Sequence, residues 1–153
     1  MNTDYTTVQI VTAQPDDLRE LATLFDLYRV FYGYASDLEK ASTFIRERLD
    51  GGDGLVLLAK VNGHAVGFVQ CYAGFSSLEC KPSWLLSDLY VLESTRGKGV
   101  GSALLAGVRE RALKAGCCVV ELFTAEGNLP AQHLYEAQGY RRDVEYRHYE
   151  LFL

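Results

Sequence analysis

The sequence predicts a single α/β domain, and three observations carry that prediction. Some segments place apolar residues at every second position and others at helical spacing, and the two kinds alternate along the chain. An Asn-Gly pair sits between two strand-like runs, and a glycine-rich turn leads from a strand straight into a helix. The totals agree: of 153 residues, 48% are apolar and 23% charged, the balance of a domain able to bury its own core, with no repeat, linker or low-complexity stretch.

Taken in order, Val8 to Thr12 alternates as a first strand. Pro15, Asp16 and Asp17 then open a helix whose face carries Leu18, Leu21, Ala22 and Phe25 and whose end is marked by Gly33. Ser36 with Glu39 reads as a capping box for a second helix striped by Leu38, Ala41, Ile45 and Leu49 and stopped at Gly51-Gly52. Leu55 to Lys60 and His64 to Tyr72 form a hairpin around Asn62-Gly63, which tolerates the positive φ of a tight turn. Trp84 to Leu92 is a further strand. The glycines Gly97 to Gly101 enter a helix bearing Val100, Leu104, Val108 and Ala112 and ended by Gly116. Val119 to Phe123 reads as a short buried strand, Pro130 to Gln138 as a helix stopped by Gly139, and Tyr140 to Phe152 as one or two closing strands. The expected order is β-αα-βββ-α-β-α-β, with the closing stretch forming one strand or two.

Charge and cysteine content narrow the function. A net charge of −5 argues against a general phosphate-backbone binder and favours cationic substrates, while leaving room for a local basic patch on a phosphorylated ligand. The four cysteines, Cys71, Cys80, Cys117 and Cys118, lack zinc-ligand spacing and read as buried thiols rather than a disulfide framework. His64, His133 and His148 have no pattern of metal partners. Met1 to Thr7 is polar with no basic start, and no apolar run approaches membrane-spanning length, so a soluble, cytoplasmic protein is expected.

The chemistry concentrates in the run from Asp88 to Gly101, where a strand meets the glycine turn and a helix. Glycines let main chain approach a phosphate, the free amides of the first helical turn point at it, and Arg96 or Lys98 adds positive charge. Neither the Walker loop nor the dinucleotide fingerprint can be fitted to these spacings.

Arg96-Gly97-Lys98-Gly99-Val100-Gly101 resembles the Arg/Gln-x-x-Gly-x-Gly/Ala signature of the GNAT superfamily of N-acetyltransferases. One helix and one strand later, Asn128, Ala131, Tyr135, Gly139 and Tyr140 are similar to that superfamily's Asn-x-x-Ala-x-x-x-Tyr-x-x-x-Gly-Tyr/Phe stretch. Within the superfamily, Leu27 to Tyr32 and Ser87 to Val91 look most like the polyamine and histone/polyamine acetyltransferases, although that group carries an acidic pair where this chain has Ser87 beside Asp88.

The resemblance implies a GNAT fold with a mixed, largely antiparallel sheet flanked by helices. It also implies acetyl-CoA as co-substrate, a small-molecule or peptide amine as acceptor, and a homodimer. On that reading the amides of Arg96, Gly97, Lys98, Gly99, Val100, Gly101 and Ser102 hold the diphosphate. The edge of Leu89, Tyr90 and Val91 pairs with the pantetheine arm, a bulge presents an N–H near Leu89 or Tyr90, and Asn128 bonds the same arm. Tyr135 protonates the departing thiolate, Asp88 holds the acceptor ammonium or relays its proton, and Tyr28, Tyr32 and Tyr34 line the acceptor cleft. The competing reading is a module that binds acyl-CoA without turnover, against which the presence of Tyr135 argues.

Overall fold

The computed structural model describes residues 7–153; the opening residues read above as leaderless fall almost wholly outside them. Two compact units divide the chain, one ending at Phe123 and one comprising Thr124–Leu153.

The first unit contains a five-stranded sheet in the order β1-β2-β3-β4-β5, with β1 at Gln9–Thr12, β2 at Gly54–Val61, β3 at His64–Ser76, β4 at Lys81–Val91 and β5 at Val119–Leu122. Its first four strands pair antiparallel and β5 joins β4 in parallel, so the sheet is mixed and largely antiparallel. At the β2–β3 turn Asn62 and Gly63 take φ of 52° and 81°, the left-handed pair that a two-residue hairpin demands.

Helices α1 (Leu18–Phe31) and α2 (Leu38–Gly51) bury Leu21, Leu24, Phe25, Ala41 and Ile45 with Val56, Leu58 and Phe68 of the sheet. Because successive strand residues point to opposite faces, Leu57 is turned the other way, toward α3 (Val100–Lys114). Gly107 makes this close approach possible: a Cβ there would stand 2.8 Å from Ile10 Cγ2 and 3.2 Å from Leu57 Cδ1.

Helix boundaries follow local chemistry, with one shift. The N-cap of α2 is Asp37, whose carboxylate accepts the Lys40 amide at 3.0 Å, rather than Ser36. Ser36 is recruited elsewhere, donating its hydroxyl to Asp26 Oδ2 at 2.6 Å. A buried carboxylate one helix away outbids the local capping box, a contact that spacing alone does not display.

Two further expectations are corrected. β5 is half exposed rather than buried, with Val119 at 42%, and among the described residues it pairs with β4 alone. Of the cysteines only Cys71 is buried; Cys80 lies exposed at the β3–β4 turn and Cys118 exposed just before the edge strand.

In the second unit α4 (Leu129–Ala137) starts at Asn128, whose side chain accepts the Ala131 amide at 3.4 Å. Residues 140–153 form no strand, although Tyr140 to Phe152 has the pattern of one. A strand pattern encodes readiness to pair, and a ladder needs a partner backbone that α4 and its flanks do not offer.

Candidate functional site

The site grows from an irregularity in β4. Gln70 pairs with Asp88 but Cys71 pairs with Leu86, so Ser87 is the extra residue of a β-bulge. The parallel ladder to β5 runs only from Ser83 to Leu86. Beyond it, the other edge of β4 from Ser87 to Val91 meets no strand among the described residues. The bulge thus falls two residues before Leu89 and three before Tyr90, where an N–H was expected.

Past the open edge, a 3-10 turn at Glu93–Thr95 delivers the chain to the glycine loop. Gly97 and Gly99 take φ of 73° and 81°, and Gly99 is the left-handed N-cap of α3. A Cβ at either would meet nothing within 4 Å, so the main chain there is approachable from outside. Val100, Gly101 and Ser102 are the first residues of α3, where helix geometry leaves the amides without intrahelical acceptors and the dipole favours an anion. The two cations of the loop are held back toward the chain. Arg96 Nε donates to the Val91 carbonyl at 2.9 Å with its guanidinium over the Phe31 and Tyr90 rings, and Lys98 Nζ donates to the Ser94 carbonyl at 3.2 Å. Both lend positive charge to the loop, and the Arg96 amide itself donates to the Glu93 carbonyl at 3.3 Å.

On the α1 side of the same strand, Asp88 and Tyr90 meet an aromatic cluster. Tyr28 lies 5.9 Å from Phe68, 6.5 Å from Tyr90 and 5.0 Å from Tyr32 between ring centroids. Burial pushes the Asp88 carboxyl above the ordinary carboxylate range, and hydrogen bonds to Tyr28 and Ser87 offset part of that rise. The same burial, with Asp88 nearby, drives the Cys71 thiol up to about 12, which makes it inert at neutral pH. Tyr34 sits apart from this cluster, exposed, with the Arg29 guanidinium over its ring. A shallow, open depression at this end of β4 is lined by Leu27, Tyr90, Leu92, Glu93 and Ser94.

The structure adds two residues that the sequence reading passed over. Gln70, the cross-strand partner of Asp88, is fully buried; its Nε2 donates to the Tyr72 hydroxyl at 2.9 Å, yet its Oε1 has no partner among the described residues. A lone amide inside the apolar run Val66 to Cys71 was the available signal. Asp26 is 7% exposed and accepts from Ser36 Oγ at 2.6 Å and the Asp37 amide at 2.8 Å, anchoring the α1–α2 connection that follows Tyr32. Its place on the apolar face of α1 was the corresponding signal.

In the second unit, Tyr135 and Tyr140 stack edge to face at 5.9 Å, and the Tyr140 amide donates to the Tyr135 carbonyl at 3.1 Å. Asn128 serves as the α4 cap already described.

Comparison with known proteins gives these features a context. The acetyltransferase (GNAT) family profile matches residues 21–140. The chain is 38% identical over 142 residues to the uncharacterized N-acetyltransferase YhfO of Bacillus subtilis (strain 168), covering 93% of this chain and 95% of that one. A crystal structure of a probable acetyltransferase superposes with a TM-score of 0.90 at 35% identity, over 95% of this chain and 97% of the other. The aminoalkylphosphonate N-acetyltransferase of Salmonella typhimurium is 33% identical over 85 residues, 56% of this chain and 55% of that protein.

Proposed function

Because the chain belongs to the GNAT acetyltransferase family and is an N-acetyltransferase, we propose that it moves acetyl from acetyl-CoA to a primary amine of a small molecule or peptide, by direct attack on the thioester. One observation carries this reading: β4 parts from β5 after Leu86, and its edge, which meets no strand there among the described residues, runs into a glycine loop open from outside at Gly97 and Gly99, at the start of α3. A strand edge pairs with amides and a helix start holds a diphosphate, in the order that the pantetheine arm and diphosphate of CoA require. When bound, acetyl-CoA supplies an activated acyl group and a thiolate leaving group.

This chain's residues take the remaining roles. Amides from Gly97 to Ser102 hold the diphosphate, the Arg96 amide being taken by the Glu93 carbonyl, and the edge of Leu89, Tyr90 and Val91 orients the arm. A main-chain N–H at the Ser87 bulge, or just beyond it at Leu89 or Tyr90, donates to the carbonyl oxygen as it gains charge. Asp88 receives the acceptor ammonium and takes up its proton; a carboxyl raised by burial is a stronger base than a solvated one, which suits this task. Tyr28 and Tyr32 offer ring faces to the cation. By the motif in the second unit, Tyr135 donates a proton to the leaving sulfur and Asn128 bonds the arm. The family profile spans both units, which supports treating residues 1–153 as one N-acetyltransferase domain. A small amine acceptor is supported by the relative that acts on aminoalkylphosphonates, and its amine is most simply a polyamine-like or amino-acid-like cation matched to Asp88.

The test has two arms. Calorimetry should show 1:1 uptake of CoA and acetyl-CoA, weakening as salt rises. Release of free thiol from acetyl-CoA should then depend on added amine across a panel of diamines, amino acids and lysine peptides. Absence of CoA binding by folded protein rejects the whole reading; binding with no amine-dependent thiol release on any acceptor rejects the catalytic part.

A further inference from the structure

We propose that Gln70 is a positioning residue for Asp88: with its amide nitrogen held by Tyr72, it turns its side-chain oxygen across the strand pair and accepts the O–H that Asp88 gains from the acceptor ammonium. The inference rests on the role given above to Asp88 and adds the group that steadies the proton once it has moved.

The pairing supplies the geometry. Gln70 and Asp88 are the last directly opposed residues before the ladder slips, so their side chains leave the same face of the sheet beside the Ser87 bulge. Opposed residues of an antiparallel pair have Cβ atoms about 5 Å apart, which brings a glutamine amide within hydrogen-bonding reach of an aspartyl carboxyl. Phe68 and Tyr90, the pair two residues on, share that face, with the Tyr28 ring 5.9 Å from one and 6.5 Å from the other. Asp88 is half-buried and Gln70 fully buried, so solvent reaches the carboxyl but not the amide.

Donors and acceptors supply the chemistry. Gln70 Nε2 donates to the Tyr72 hydroxyl at 2.9 Å, which leaves Oε1, an atom that can only accept and that has no donor among the described residues. Burying an unmatched acceptor is costly, and a leucine would fill a similar space without that cost. Ionised Asp88 cannot relieve it, because a carboxylate only accepts; neutral Asp88 can, through its one O–H. Tyr28 already donates to Asp88, so the neutral acid completes a chain running from Tyr28 to Asp88 to Gln70 to Tyr72. In the transfer one N–H bond of the substrate ammonium breaks, its electron pair stays on nitrogen, and one O–H bond forms on Asp88. The proton returns to water when product leaves.

The titratable and charged groups around Asp88 do not substitute for this contact. Tyr28 of α1 and Ser87 face it as hydroxyls. Across the strand pair, Cys71 and Tyr72 are held protonated by burial first and by Asp88 second, the thiol pushed up to about 12. Arg48 of α2 and Asp53 act on Tyr72 with opposite sign and are ion-paired at 2.9 Å. Burial holds the Asp88 carboxyl above the ordinary range, a direction that an opposed acceptor oxygen reinforces.

The test reads Asp88 directly and needs no acceptor. In protein carrying carbon-13 at its aspartate carboxyls, the Asp88 resonance is assigned by its loss in Asp88→Asn and titrated by NMR in wild type, Gln70→Leu and Tyr72→Phe. Gln70→Leu removes the opposed oxygen, and the midpoint should fall by roughly half a unit to one unit, the size of one hydrogen bond between neutral groups. Tyr72→Phe keeps Gln70 but frees Nε2 to turn toward Asp88, and the midpoint should fall again. With any amine that releases thiol, the acid limb of kcat/KM should move by the same amount in each variant. A midpoint unchanged or raised in folded Gln70→Leu overturns the proposal, since a merely structural glutamine moves nothing and an N–H aimed at Asp88 would move it up. Should Gln70→Leu fail to fold, Tyr72→Phe decides on the same criterion. An acid limb that survives Asp88→Asn instead overturns the role of Asp88 in the reaction, while the NMR midpoints still judge its contact with Gln70.

Discussion

Asp26 offers the sharpest test of how the acceptor side of the site is held. Its carboxylate accepts from Ser36 Oγ at 2.6 Å and the Asp37 amide at 2.8 Å, with Arg29 at 3.6 Å, on a side chain almost removed from solvent. Hydrogen bonds to charged groups contribute about 1.5–3 kcal/mol each, and neutral ones about 0.5–1.5 kcal/mol. Asp26→Ala removes both, but Ser36 and Asp37 lie exposed and their freed donors take water, so the cost falls near the low end, about 3 kcal/mol. Asp26→Asn keeps one acceptor without its charge and should cost about half as much. At roughly 2–4 °C per kcal/mol for a chain of this size, the alanine variant melts about 6–12 °C lower. The pH dependence has a definite sign. The hydrogen bond from Ser36, then that from Asp37, holds the Asp26 carboxyl below its ordinary range against the opposing effect of burial. Its contribution is therefore full above the unfolded value of about 3.9 and is lost as pH falls through the lower folded value. The gap between wild type and Asp26→Ala, followed by urea denaturation from pH 7 to pH 3, should narrow toward the acid end. A looser α1–α2 connection should also raise KM for the amine while leaving CoA affinity unchanged. A gap that is constant with pH, or an alanine cost below about 1 kcal/mol, refutes the reasoning.

Three more outcomes follow from the site. Asp88→Asn should lower kcat by about 10²–10⁴-fold and abolish the acidic limb of the kcat/KM profile. Its folded pKa is raised, so the ionised form costs stability as pH rises, and the same variant should be as stable as wild type or more so at neutral pH in a thermal melt. Gly99→Ala places a side chain in open space at φ 81°, so the penalty is backbone strain of about 1–2 kcal/mol on the folded state; a thermal melt should fall by about 2–8 °C, with a smaller loss for Gly99→Asn. Cys71, buried with its thiol pushed up to about 12, should resist a disulfide reagent until the protein unfolds, while Cys80 and Cys118 react at once, as peptide mapping after timed labelling will read.

What the sequence disclosed and what it withheld divide by the range of the interaction responsible. Asn62-Gly63, Gly99 and Gly116 act on their own backbone, so a left-handed turn can be read from the residue that adopts it, and element order follows. The glycine loop and the Asn128-to-Tyr140 stretch are likewise local, and their spacing survives translation into a helix start and a capped helix. The bulge at Ser87 is different, because it exists only as a mismatch of register between β3 and β4, and no property of Ser87 announces it. Ser36 and Asp26 make the same point from ten residues' distance: a capping box is a local bid that a buried carboxylate can overrule. Asp88 combines both cases. Its place on the strand facing the thioester suggested a role with an amine, but its raised pKa comes from burial, partly offset by a hydrogen bond to Tyr28 on another element. The residues that choose an acceptor are therefore those whose environment is assembled from several elements at once, which is why sequence motifs identify the acyl donor more readily than the amine.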